Sequence, residues 1–465
     1  AEPISKPVVK KPKPLVIADD SESKYCITVS DSASPSTMHA AMELQSFLRE
    51  MTGAELPIIS DRLPLRKYEI ILGNNARLSK LGVAIDFGKL GREGYRLLTT
   101  GNRLIIAGGE PRGTLYGVYG LLEDHLGCRW FTAEVSRIPR YDKLEIPPVD
   151  ETRIPALEYR ETYISEAFDG DWAARNRLNR NSRDGGLAER HGGRIEFVSG
   201  YFAHTFEKFV PPGQYYGKHP EYFSLVNGNR LKTKSQLCCT NENVIRIVSE
   251  GALKIFRENP QADILSVSQN DWYNFCRCGK CSALADSEGT QMAPVLFLVN
   301  RVAQAVEKEF PGKSVETLAY QWTRKAPKTM RPRPNVVIRL CTIECCFSHP
   351  LRSCSSPRNA AFARDLMEWA KVADRLWIWN YNTSFAHYFI PFPDLRSRGD
   401  NIRFFIENNV KGVFQQDIYS TRRGELSELS AWLNAKLLWN PNCEENRAID
   451  EFLATVYGAG AKYIR

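Results

Sequence analysis

The chain repeats one device: an apolar, β-rich run stops abruptly at an acid, an amide or an aromatic residue. Val337-Ile338-Arg339-Leu340-Cys341-Thr342-Ile343 stops at Glu344, which is followed by Cys345-Cys346-Phe347. Ile264-Leu265-Ser266-Val267-Ser268 runs into Gln269-Asn270-Asp271-Trp272, Leu376-Trp377-Ile378-Trp379 into Asn380-Tyr381-Asn382, and Gly412-Val413-Phe414 into Gln415-Gln416-Asp417. A buried strand that delivers a polar group at its C-terminal end is how a parallel α/β barrel presents functional side chains.

A chain of 465 residues exceeds one ordinary core, and two to three domains are expected. The formal charge of +8 is spread along the chain. Beyond the extreme N-terminus no run of Lys and Arg is dense enough to track phosphates, so no nucleic-acid partner is expected. No apolar stretch reaches the roughly 18 to 20 residues needed to span a bilayer, so no membrane insertion is expected. Residues 1–14 form a Pro- and Lys-rich segment that reads as a mature end after signal-peptide removal, followed by a stiff linker. Together with twelve cysteines it points to a secreted or periplasmic protein held by disulfides.

Residues 15–150 form a first α/β unit. A helix over Thr37–Met51 puts Met38, Ala41, Leu44 and Leu48 on one face, and strands follow near Tyr68–Leu72, Gly94–Thr99 and Arg103–Ala107. The turn Gly108-Gly109-Glu110-Pro111-Arg112-Gly113 has neither dinucleotide-binding nor P-loop spacing and reads as structural. Over residues 151–465 the rhythm becomes strand, loop, helix. Strands are predicted near 158–164, 198–204, 235–239, 263–268, 315–320, 336–343, 375–380 and 411–415. Helices are predicted near 243–257, 291–309, 357–373, 400–408 and 425–438. The fold class is therefore α/β: an N-terminal α/β sandwich followed by a (β/α)8 TIM barrel.

Gly109-Glu110-Pro111-Arg112-Gly113-Thr114-Leu115-Tyr116-Gly117-Val118-Tyr119 resembles the N-terminal domain of β-hexosaminidases and α-glucuronidases. His204-Thr205-Phe206, His219-Pro220-Glu221-Tyr222-Phe223, Ser266 to Asp271, Cys276/Cys278/Cys281, Ile343 to Phe347 and Asn409 to Phe414 resemble glycoside hydrolase family 163. That resemblance implies endo-β-N-acetylglucosaminidase action on N-glycans, with the substrate's own acetamide as nucleophile and no cofactor. The resembled pattern carries Asp at the position of Asn380 and Glu at that of Gln415. An amide keeps the shape and an acceptor oxygen but neither transfers a proton nor carries charge.

Glycoside hydrolysis uses two carboxyl groups in different environments. Glu344 is the expected general acid, in an apolar setting of Ile343, Cys345, Cys346 and Phe347 that would raise its pKa; a strand-end ion pair is the alternative. Asp271 is the expected orienting carboxylate, with a helix cap as its alternative. Asp417 is a reserve acid, because alternation along a strand could point it the same way as Gln415. His204, Tyr216, His219, Asn270, Trp272, Trp322, Trp379, Asn380, Tyr381 and Gln415 are the expected sugar contacts, rings stacking on C–H faces and amides bonding hydroxyls. The expected partner is a glycan or polysaccharide.

Arg160, Arg230 and Arg324 would favour an acidic sugar if they converged. A uronic-acid-cleaving enzyme and a catalytically impaired glycan-binding barrel are the competing readings. Cys276, Cys278 and Cys281, with Cys345, Cys346, Cys354 and His349, could hold zinc by residue type. Only three of those sulfurs are close in sequence, so disulfides linking the two loops are the simpler expectation and no metal is assigned.

Overall fold

The computed structural model describes residues 13–181 and 186–465. They divide into two compact units. The first comprises 13–155, 168–177 and 186–193, and the second 156–167, 178–181 and 194–465.

The first unit is built on a six-stranded mixed sheet. In chain order its strands are β1 (Cys26–Val29), β2 (Ile58–Ser60), β3 (Glu69–Leu72), β4 (Tyr95–Thr100), β5 (Arg103–Gly108) and β6 (Asp150–Arg153), arranged β6-β4-β5-β3-β1-β2. Helix α1 (Pro35–Thr52) starts where the Ser34 side chain accepts the Thr37 amide and Pro35 fixes the first turn. It stops at Gly53, whose φ of 77° suits glycine. Ala40, Ala41, Leu44, Leu48 and Met51 are buried, while Met38 is exposed, so the apolar stripe is rotated from the sequence expectation. Helix α2 (Gly113–Gly120) is buried along its whole length. Residues beyond 155 complete this unit: Trp172 Nε1 donates to the Phe131 carbonyl, Arg175 pairs with Glu43, and Arg177 pairs with Glu123.

The second unit carries six parallel strands: β7 (Tyr159–Tyr163), β8 (Ile264–Ser266), β9 (Ser314–Ala319), β10 (Val336–Cys341), β11 (Leu376–Tyr381) and β12 (Val410–Gln416), in the order β7-β12-β11-β10-β9-β8. Both edges contribute to one core cluster. Tyr159 from one edge strand and Ile264 from the other pack with Phe197, Val337, Trp377 and Phe414, so the sheet is curled. Tyr159 stacks on Trp377 with ring centroids 4.3 Å apart. Gly412 makes that stack possible, because a Cβ there would lie 2.8 Å from the Trp377 ring. On this concave face Arg339 pairs with Glu316 at 2.8 Å, with its guanidinium 4.1 Å from the centre of the Phe202 ring and 4.7 Å from that of Trp379.

Eight barrel strands were expected, and among the described residues six are paired into a curled half-barrel. The stretch 198–204 is not extended: Gly200 and His204 both take positive φ. Within 235–239, Leu237 makes an isolated antiparallel bridge to Phe223 and joins no sheet. The two sheet edges are instead occupied by irregular chain. Asn179 accepts the Arg160 amide on its side chain at 2.8 Å, and its carbonyl accepts the Ile195 amide at 2.9 Å. Val198 then donates to the Ile264 carbonyl at 2.9 Å. The edge groups are thereby satisfied without further strands. The helices fall near their predicted places: α3 (Glu242–Glu258), α5 (Met292–Glu309), α6 (Pro357–Val372), α7 (Arg398–Glu407) and α8 (Ser427–Trp439). Two further helices of ten residues or more, α4 (Gly279–Glu288) and α9 (Glu445–Tyr457), were not anticipated, nor were the single turns Phe206–Phe209, Pro212–Tyr215 and Ala461–Ile464. No helix among the described residues is long and apolar enough to cross a membrane.

Candidate active site

Asp271, Tyr320, Glu344 and Tyr381 lie at or just beyond the carboxyl ends of β8, β9, β10 and β11. This end of a parallel sheet is where side chains from successive strands converge. The Tyr320 phenol lies within the electrostatic reach of the Asp271 carboxylate. Gln321 Nε2 donates in turn to the Tyr320 oxygen at 2.9 Å. Burial and then the negative field of Asp271 push the Tyr320 phenol above its ordinary pKa, so it is a fixed proton donor. Tyr381 is raised as well, by burial first and then by Cys341 and Tyr320, with Asp271 also contributing. The Cys341 thiol is raised by burial, and Glu344 adds to that shift. Asp271 and Glu344 thus act electrostatically on the same Tyr381–Cys341 wall.

Glu344 is ion-paired with Arg324, and its side chain is 39% exposed. Of the expected apolar setting, Cys345 is buried but Ile343 is 37% exposed, so the carboxylate is only partly enclosed. Arg324 has a second carboxylate, Asp365, at 2.7 Å. His204 stands close by, its Nδ1 2.8 Å from the Gln269 carbonyl and its ring 5.9 Å from that of Tyr320. Trp272 is 40% exposed, and its carbonyl accepts from Trp322 Nε1 at 3.0 Å. Trp379 lines the concave face, donating to Gln416 Oε1 at 2.7 Å and lying 6.3 Å from the Tyr381 ring in a stacked arrangement.

Other expected contacts lie elsewhere. Alternation puts Trp377, Trp379 and Phe414 inside the curl, so Asn380 and Gln415 face the opposite side of the sheet. There Asn380 Nδ2 donates to Gln415 Oε1 at 2.8 Å, and Thr342 Oγ1 donates to Asn380 Oδ1 at 2.8 Å. Asp417 shares that outer face, 1% exposed, accepting from Ser430 Oγ of α8 and from the Ile418 amide. Burial pushes its carboxyl up to about 7, against the opposing pull of Arg398. Asn270 is buried and braces loops, its Nδ2 donating to the Ser235 carbonyl at 2.8 Å. Tyr216 donates to the Arg230 carbonyl at 2.7 Å, and His219 stacks on Tyr222 beside Glu221.

The three arginines do not converge. Arg160 lies over Trp439 on the outer face, Arg230 donates to the Phe223 carbonyl, and Arg324 holds Glu344. No disulfide joins the two cysteine-bearing loops of the second unit in the structure. The 276–281 sulfurs gather with Cys238, and Cys346 and Cys354 gather with His349, so the two loops are not cross-linked. Tyr320 was missed in the sequence although Val315-Glu316-Thr317-Leu318-Ala319-Tyr320 repeats the apolar-run-then-polar-group device. Arg324 was expected as a possible sugar contact, but its pairing with Glu344 and Asp365 left no local signal, because it depends on the packing of α6.

This architecture, a curled parallel sheet preceded in sequence by a mixed-sheet α/β unit, is shared with solved structures. The fold matches a GH115 4-O-methyl-α-glucuronidase specific for decorated arabinogalactans, with TM-score 0.58 and 11% identity, over 96% of this chain and 61% of that one. It also matches a mutant Streptomyces plicatus β-hexosaminidase in complex with GlcNAc, with TM-score 0.51 and 14% identity, over 98% of this chain and 94% of that one. The chain therefore spans about 61% of the length of the GH115 structure. Residues 19–121 match the glycosyl hydrolase family 67 N-terminus. Residues 130–465 match the domain of unknown function DUF4838, and the chain belongs to that family. No curated protein matches its sequence.

Proposed function

We propose that the protein is a glycoside hydrolase acting on a glycan that contains an N-acetylated amino sugar, with an endo-β-N-acetylglucosaminidase-like, substrate-assisted retaining mechanism. The observation that carries this reading is the placement of two acids, Asp271 and Glu344, beyond the carboxyl ends of β8 and β10, with Tyr320 between them at the end of β9. The Asp271 carboxylate accepts the N–H of the acetamide and raises the electron density on its oxygen. That oxygen attacks the anomeric carbon while Glu344 gives a proton to the departing glycosidic oxygen. The resulting oxazolinium is opened by water, whose proton returns to Glu344, so two inversions give net retention. In the resting site Arg324 is ion-paired with Glu344. Its second partner, Asp365, lets the guanidinium turn away without losing compensation when a sugar displaces water. Exposed Trp272 and neighbouring Trp322 supply stacking surface.

A uronic-acid reading would draw on converging arginines, and a binding-only reading on amides in the cleft. Arg160, Arg230 and Arg324 do not converge, and Asn380 and Gln415, the amides the binding-only reading needs, face the outer side of the sheet. The test is hydrolysis of an N-glycan chitobiose core by the parent protein, with the product anomer followed by NMR. β-Product released first supports the proposal; α-product, or turnover only of glycans without an acetamido sugar, overturns it.

A further inference from the structure

Four thiols stand apart from the proposed chemistry. Cys238, Cys276, Cys278 and Cys281 place their sulfurs within 4.8 Å of one another. Cys238 lies 3.6 Å from Cys278 and 3.9 Å from Cys281. A disulfide bond is about 2.05 Å long, so these sulfurs are not paired covalently. A tetrahedral tetrathiolate with bonds of about 2.3 Å to zinc has sulfur–sulfur edges of about 3.8 Å, which matches the spacing.

The surroundings suit thiolates. The Leu225 amide donates to Cys276 Sγ at 3.4 Å, and Arg230 Nη1 approaches the same sulfur at 3.8 Å. Thr240 Oγ1 lies 3.2 Å from Cys281 Sγ. Cys278 is the N-cap of α4 and Cys281 its third residue, so the positive end of that helix faces the sulfurs. Donors aimed at ligand sulfurs are the outer shell a metal thiolate site requires. Cys238, Cys276 and Cys281 are buried in one small cluster, with Cys278 and Leu225 packed against it and partly buried.

We infer that Cys238, Cys276, Cys278 and Cys281 bind one structural Zn(II) as a tetrathiolate. Binding releases four thiol protons, leaves the metal's oxidation state unchanged, and yields a site of net charge −2 that Arg230 partly offsets. All four positions around the ion are taken by protein, so the site is closed and does not activate water. Its role is to tie the hairpin of Leu225–Val226 and Asn229–Arg230 to the loop that follows Asp271. Between these, Gln236 Nε2 donates to the Asn270 carbonyl at 2.8 Å and to the Trp272 carbonyl at 2.5 Å, so the staple positions the backbone on both sides of Asp271.

The full chain, purified without chelator or reductant and after incubation with Zn(II), is expected to hold about one zinc per molecule by plasma mass spectrometry. Cys238→Ser and Cys276→Ser should lose it, while Cys443→Ser should retain it. Because the serine variants could fail to fold, the wild-type protein exchanged into Co(II) provides an independent reading. A thiolate-to-cobalt charge-transfer band with the intense visible bands of tetrahedral Co(II) is expected. Disulfide-linked peptides among the four cysteines, or a folded wild-type chain that takes up neither zinc nor tetrahedral cobalt, would overturn the inference.

Discussion

Glu344→Gln replaces the proposed proton donor by an amide of the same shape, and positioned proton transfer is typically worth about 10²–10⁴-fold in rate. A loss of that size in kcat on a chitobiose-core glycan, with glycan affinity retained in a binding assay, is the expected result; an unchanged kcat sinks the assignment. Asn380 makes a different prediction. It donates to Gln415 and accepts from Thr342 in a buried layer, so Asn380→Asp would set a carboxylate oxygen against the Gln415 oxygen. Thermal melting should then show destabilisation by about 1–3 kcal/mol with no gain in turnover. Asp417 titrates in the native state near 7, well above its ordinary carboxylate value. Between those two pH values the native state binds the extra proton, so stability falls as pH rises and is lost through about 7. The drop is roughly 4 kcal/mol as an upper bound. Melting curves at pH 5 and 8 should show that slope in the parent and a flatter one in Asp417→Asn. Arg398 and Asp394 also bear on this carboxyl and stay in place in the variant.

Strands and helices carry the next level of specification. The apolar runs ending at Glu344, Tyr381 and Gln416 are strands at or within a residue or two of their expected places, because unbroken Val, Ile, Leu and Trp fit a sheet covered on both faces. What an apolar run does not encode is which of two alternate residues faces the cleft. That depended on Trp377, Trp379 and Phe414 filling the concave side, and it sent Asn380, Gln415 and Asp417 outward. Nor could local pattern foresee that 198–204 and 235–239 would stay out of the sheet, since Asn179 saturates a strand edge from far along the chain. Arg339 is a comparable case: it reads as an interruption in an apolar strand, yet Glu316 on the neighbouring strand neutralises it in full burial. Arg339→Met leaves Glu316 buried and unpaired, and should destabilise by about 3–5 kcal/mol in chemical denaturation. Adding Glu316→Gln should recover much of that loss; no recovery would show that the pair's charge balance is not what holds β9 against β10.

The matched GH115 structure is considerably longer than this chain, yet the chain's own division into two units is complete enough to make a prediction. The first unit draws Trp172, Arg175, Arg177 and His191 from beyond residue 155. A fragment ending at residue 155 would leave Glu43 and Glu123 without their arginines and remove the Trp172 side chain, which is 2% exposed. Such a fragment should melt at a lower temperature than one ending at residue 193, and should bind the dye ANS more strongly. Equal, cooperative melting of the two fragments would refute this account.

The same interleaving bears on how the protein emerges from the ribosome. Chains leave at roughly 5–20 residues per second, and domains generally fold as they appear. The mixed sheet of the first unit has all six strands once Arg153 is made, but its last buried pieces arrive only with residues 168–177 and 186–193. By then β7 has already been synthesised, with its neighbour β12 still more than two hundred residues away. For many seconds, therefore, a nascent chain carries one finished unit and one strand, Tyr159–Tyr163, whose ladder partner has not been made. A cell making this protein has to keep that strand from pairing with the wrong edge until Val410–Gln416 appears.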